Sequence, residues 1–216
     1  MYKCTTRSST QDLWMGSLST QVCHPTSFLQ EGPCIEPNNP DGVDLSASNV
    51  LIDTFEIHNG DDVINISPPA TNVTMRNVIA SGTHGLSVSC SSGTGGNYTF
   101  ENALVYDSLM AARFKGVLGE TCNVSDVTWR NIEVRNVSFP IHFIENYYDQ
   151  EKSAPNSSTS AIAAYAKNFS WENITGSVSS VVGDGSCITD PCWYATLGEF
   201  SRFPCFSSAS PYHCWY

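Results

Sequence analysis

"NVTMRNVIA", residues 72–80, opens on an asparagine, places apolar residues at its second and fourth positions, and puts another asparagine, Asn77, at its sixth. The alternation of Val73 and Met75 with polar neighbours is the period of a strand with one buried face. Four further segments carry the same pattern: "NVLIDTFEI" from Asn49, "NYTFENALV" from Asn97, "DVTWRNIEV" from Asp126 and "NFSWENITG" from Asn168. Their sixth places are Thr54, Asn102, Asn131 and Asn173. The starts are 23, 25, 29 and 42 residues apart, which is the spacing of a solenoid with insertions. Short β-branched strands, a period in the twenties and few helix formers predict an all-β, right-handed parallel β-helix. In such a fold, asparagines at equivalent corners can form side-chain ladders. The leucine spacing of a leucine-rich repeat is absent, and the single Asn-Gly, Asn59-Gly60, offers little to an antiparallel sandwich.

The pattern predicts three regions. Residues 1–38 read as an irregular segment, either an improvised cap or mistranslated sequence; residues 39–198 form the β-helix; residues 199–216 form an irregular, aromatic tail. A β-helix needs its end coils covered, and the solenoid here is expected to be truncated at its N-terminal end.

Bulk composition narrows the function. Only 14% of the 216 residues are charged, and the formal net charge is −11. A broad nucleic-acid surface would need clustered Lys and Arg, so nucleic acid is excluded as a partner. No apolar run of about 18 residues exists to span a membrane. Nine cysteines and eight Asn-x-Ser/Thr sequons, at Asn65, Asn72, Asn97, Asn123, Asn136, Asn156, Asn168 and Asn173, indicate an oxidising, extracellular setting and a glycoprotein. The first 20 residues have no apolar signal core, so the chain reads as a fragment or an imperfect gene model.

Counting from the repeat starts brings polar residues into phase. Asp61 lies twelve residues after Asn49, and His84 lies twelve after Asn72. Asp41 lies 20 residues before Asp61, about one coil below. Arg113 and Lys115 sit 16 and 18 places after Asn97, near the same phase, and face one side because they are two apart. Asp41, Asp61, Asp62, His84, Arg113 and Lys115 can therefore line one stripe. Crowded carboxylates cannot all ionise easily, which separates an acid from a base. Adjacent Asp61 and Asp62 would point to opposite faces of a regular strand, so a bend near Gly60 is required. Taken alone, His58 and His142 read as structural.

This stripe resembles family 28 of the glycoside hydrolases, the polygalacturonases and their pectin-cleaving relatives. The family's four ordered motifs are matched by "NPDG" (39–42), "GDD" (60–62), "THG" (83–85) and "RFK" (113–115). Pro40 and Thr83 depart from the family pattern, and Val63 stands where many members carry a disulfide cysteine, leaving Cys90 to find another partner or stay free. The resemblance implies inverting hydrolysis of galacturonosyl linkages in pectin by a secreted, monomeric enzyme without metal or organic cofactor. It implies Asp61 as general acid, Asp41 and Asp62 holding the attacking water, and His84 orienting Asp61 or touching the sugar. Arg113, Lys115, Gly85 and a tyrosine, Tyr148 with Tyr147 as its neighbour, would bind a galacturonate-containing polysaccharide. The departures resemble exo-acting members, including those that remove galacturonate from rhamnogalacturonan ends. The rivals are a non-catalytic β-helix, either an inactive fragment or a pectin-binding remnant, and a calcium-dependent lyase. Cys187 and Cys192 read as a small-loop disulfide rather than metal ligands.

Overall fold

The computed structural model describes residues 13–15, 41–117, 121–147, 164–180, 183–186 and 196–197. Its strands are β1 (Leu13–Met15), β2 (Asp44–Leu45), β3 (Val50–His58), β4 (Asp62–Ile66), β5 (Thr71–Ser81), β6 (Gly85–Cys90), β7 (Gly93–Val117), β8 (Cys122–Tyr147), β9 (Tyr165–Val178), β10 (Gly183–Ser186) and β11 (Thr196–Leu197). Every pairing is parallel. One strip stacks β1, β3, β5, the first half of β7, the first half of β8, β9 and β11. A second strip stacks β2, β4, β6, the end of β7, the end of β8 and β10. The expected parallel β-helix is the observed fold. Three residues of the segment read as irregular, Leu13–Met15, add a strand by pairing with Val50–Ile52. Among the described residues no helix is long and apolar enough to cross a membrane.

The repeat residues are the corners of the coil. Asn49, Thr54, Asn72, Asn77, Asn97, Asn102, Asp126, Asn131, Asn168 and Asn173 all have φ between 51° and 61°. Asn and Asp enter this left-handed region at lower cost than other residues with a Cβ. The asparagines also stack. The Asn72 amide donates to Asn49 (2.8 Å), Asn97 to Asn72 (3.2 Å), Asn131 to Asn102 (3.2 Å) and Asn173 to Asn131 (2.9 Å). Acids in the ladders only receive: Asp53 accepts from Asn77, Asp107 from Asn136, and Asp126 from Asn168. A carboxylate has no proton to pass to the coil below.

Inside the coil, in-register apolar residues form the core. Ile52, Met75, Phe100, Trp129 and Trp171 occupy one stacked row. Trp129 is parallel to both Phe100 (5.3 Å) and Trp171 (5.5 Å). Its indole N–H reaches the Leu86 carbonyl on the second strip at 3.0 Å, tying the two strips across the core. Cys90 does find a partner: it is bonded to Cys122 across 32 residues of chain.

Candidate active site

The second strip carries the charged stripe. At the start of β4 the register slips, with Asp62 opposite Gly85 and Ile64 already opposite Leu86. The extra residue, Val63, is fully buried. Such a bulge bends a strand and re-aims its side chains, and it is the bend that Asp61 and Asp62 require to serve one site.

Asp62 is fully buried, with three side-chain donors on its carboxylate. Its Oδ1 accepts from Ser87 Oγ (2.6 Å) and Arg113 (3.1 Å), and its Oδ2 accepts from Lys115 Nζ (2.5 Å). The two cations are themselves buried, so they are not a solvated rung. Arg113 pairs in register with Ser87, and Lys115 with Ser89, so both side chains reach past β6 to the coil beneath. The buried Arg113 Nε has no partner among the described residues.

Asp41 and Asp61 compete for one donor. The Asp62 backbone N–H lies 3.2 Å from Asp41 Oδ1 and 2.9 Å from Asp61 Oδ1. Burial, followed by the charges of Asp62, Asp61 and Asp44, pushes Asp41 up from the ordinary 3.8 to about 7. Asp61 moves the other way. Burial would raise it, but the His84 ring at 2.9 Å, the Asp62 N–H and Lys115 together hold it below the usual carboxylate range. Below about pH 7 Asp41 is therefore the carboxyl favoured to hold a proton, rather than Asp61. Asp61 then faces the Lys115 charge, while Asp62 bridges Arg113 and Lys115.

Thr83 and Gly85 hold this arrangement from behind. Thr83, where the family pattern has Gly, is fully buried. Its hydroxyl donates to the Asp61 carbonyl (2.6 Å) and accepts from Gly85 N–H (3.0 Å). Its own N–H donates to Ser108 Oγ (3.2 Å) on the coil above. Gly85 has φ of 102°, and a Cβ there would lie 2.6 Å from the Ala111 carbonyl. What the fold requires of Gly85 is its backbone shape.

Above the cations, His142 stands in register with Arg113. Burial first, and then the Arg113 charge, pushes its pKa down to about 4, so it is neutral near neutral pH. The Tyr147 ring lies 5.7 Å from the Arg113 guanidinium carbon and 5.5 Å from Lys115 Nζ, within cation–π range. Tyr148, Cys187 and Cys192 lie outside the described residues. His58 contacts Ser81 (2.6 Å) and Tyr106 on the first strip, away from this group.

Asp61, Asp62 and His84 offer three ligand atoms within 4.8 Å of one another. A divalent cation there would meet two fixed positive charges already held on Asp62. The donor set therefore suits a proton-transfer site better than a metal site.

The family model described as "Glycosyl hydrolases family 28" matches residues 17–192. The chain belongs to family 28. This family 28 chain is 39% identical over 166 residues to the probable exopolygalacturonase C of Aspergillus flavus, covering 73% of this chain and 38% of that protein. It is 28% identical to exopolygalacturonase rpg13 of Rhizopus delemar, over 76% of this chain and 48% of that one. The crystal structure of endo-xylogalacturonan hydrolase from Aspergillus tubingensis matches with a TM-score of 0.56 at 20% identity, covering 75% of this chain and 47% of that chain. The family 28 chain thus spans less than half the length of the curated relatives it matches.

Proposed function

We propose that this chain carries the catalytic stripe of a secreted, monomeric pectin hydrolase that releases galacturonate from chain ends. The observation that carries the reading is the crowding of Asp41, Asp61 and Asp62 around one N–H donor, with Arg113 and Lys115 fixed beside them. The names of the exopolygalacturonase relatives support the exo mode and the substrate class.

In the reaction, water attacks the anomeric carbon and loses a proton to a carboxylate as the glycosidic C–O bond breaks. A protonated carboxyl supplies a proton to the leaving oxygen. Family resemblance gives the acid to Asp61 and the water to Asp41 and Asp62. Asp62 keeps capacity for a further hydrogen bond, since a carboxylate accepts about four and three are filled. One feature favours a second order: Asp41 is pushed up to about 7, while Asp61, beside His84, is held below the usual carboxylate range. Arg113, with a spare buried Nε–H, and Lys115 are suited to share their charge between Asp62 and a galacturonate carboxylate. The Tyr147 ring beside them offers a sugar-facing surface. The Asp41 and Asp61 oxygens that share the Asp62 N–H lie closer together than the roughly 6.5–9.5 Å usual for inverting pairs. Inversion therefore rests on the family resemblance, and proton NMR of the first-formed anomer tests it.

The deciding experiment measures product size from polygalacturonate and rhamnogalacturonan oligomers, with Asp61→Asn as control. Galacturonate alone, lost in the variant, supports the proposal; no release by folded protein favours a non-catalytic β-helix. An aryl galacturonide assigns the acid, because a good leaving group needs no proton: it restores turnover in the variant lacking the acid and not in the one lacking the base.

A further inference from the structure

Seven of the eight sequon asparagines are described, and six have their amides engaged within the fold. Asn72, Asn97, Asn136, Asn168 and Asn173 donate along the corner ladders, and Asn65 donates to Asp44. A sugar on any of the five ladder amides would replace an N–H and force its bulk into a stack whose coils are about 4.8 Å apart. Asn123 differs. It is exposed, has extended rather than left-handed backbone, and its amide meets no protein group among the described residues. Its backbone is anchored by the neighbouring Cys122, which is bonded to Cys90.

A second, independent feature sits beside it. Thr94, Asn123 and Tyr165 are in register on three successive coils, so their side chains share one face. Tyr165 is 59% exposed, the most exposed large apolar side chain described. With Asn123, Ser125 and Lys167 it borders an open hollow of about 310 Å³. This hollow lies on the first strip, away from the charged stripe. An exposed ring stacked over a sequon, about one strand spacing away, is a platform for the C–H face of a sugar.

We infer that Asn123 is the N-glycosylated asparagine of the described coils, and that its first N-acetylglucosamine lies in the hollow against the Tyr165 ring. The other six amides stay unmodified because they are the fold's own hydrogen-bond donors. The inference rests on the proposed secretory route and not on hydrolysis.

The test expresses the full chain behind a secretion leader in yeast and maps occupancy by enzymatic glycan release in ¹⁸O water with peptide mass spectrometry. Tyr165 accessibility is read by nitration in three forms: intact, trimmed to one N-acetylglucosamine, and fully deglycosylated. Asn123 should be occupied and the ladder asparagines empty. Nitration of Tyr165 should be slowed several-fold in the intact and trimmed forms, and should be fast in the deglycosylated form and in Asn123→Gln. An unmodified Asn123, or occupied ladder asparagines in the folded protein, overturns the site assignment; equal nitration in all three forms overturns the stacking. Hydrolysis assayed on the same preparations should not differ between them, so failure of that activity is read separately.

Discussion

Replacing Asp41 by Asn should make the protein more stable, and only above mildly acid pH. The asparagine Oδ1 can keep the hydrogen bond from Asp62 N–H, so the change removes charge and little else. A carboxyl whose folded pKa is raised from 3.8 to about 7 binds its proton in the folded state while the unfolded chain has released it. The wild type therefore loses stability as pH climbs from about 4 to about 7 and loses no more beyond that. Asn does not titrate, so the stability gap between variant and wild type should open across that window and then stay flat. At about 1.4 kcal/mol per pH unit the shift would amount to several kcal/mol in a dry site. Solvent screening at this half-buried carboxyl leaves about 1–2 kcal/mol. Urea midpoints at unit steps from pH 4 to pH 8 measure it, with hydrolysis expected to fall sharply in the same variant. A gap already complete at pH 4, or a variant less stable at pH 8, would mean that Asp41 is ionised in the folded site and the reasoning fails.

Lys115→Met strands the buried Asp62 charge with Arg113 alone, and should cost about 3–5 kcal/mol in chemical denaturation. Thr83→Val keeps the volume but orphans the Gly85 N–H; a loss of about 1–3 kcal/mol is expected, with turnover falling because Asp61 loses a brace. Reducing Cys90–Cys122 releases a 32-residue closure and should lower unfolding free energy by about 3–4 kcal/mol, read as the difference in urea unfolding with and without reductant.

The coil was legible because its corners repeat. Asn at the first and sixth places satisfies a left-handed backbone and can join a ladder at once; the left-handed backbone recurs on every coil and the ladder on most. The third corner, Asp107 and Asn136, was not legible, because it falls outside the nine-residue segments that repeat. In the site, Asp61 and His84 follow from equal phase, and they do meet. Arg113 and Lys115 instead pair with Ser87 and Ser89, and reach Asp62 because they are long enough to pass a coil. Ser87 and His142 carried no signal, since a serine or a lone histidine in a strand is ordinary, and Thr83 showed only as a departure from the family pattern, not as a brace. The contact of Tyr147 with both cations depends on a register slip between Lys115 and Val117, which residue counting cannot see.

The one-way ladders also set a rule for rearranging coils. Each amide hands its proton toward the earlier coil, so a coil with Asp at a corner can begin a stack but cannot continue one. Asp126 breaks the first corner above Asn97, yet on the same coil Asn131 and Asn136 still donate downward at the other two corners. At that junction the fault in one seam is covered by the other two, whereas at its corners the coil from Asn97 meets the one below through Asn97 and Asn72 alone. A grafted or duplicated coil with acids at all three corners would be accepted as a foundation and rejected as a middle storey.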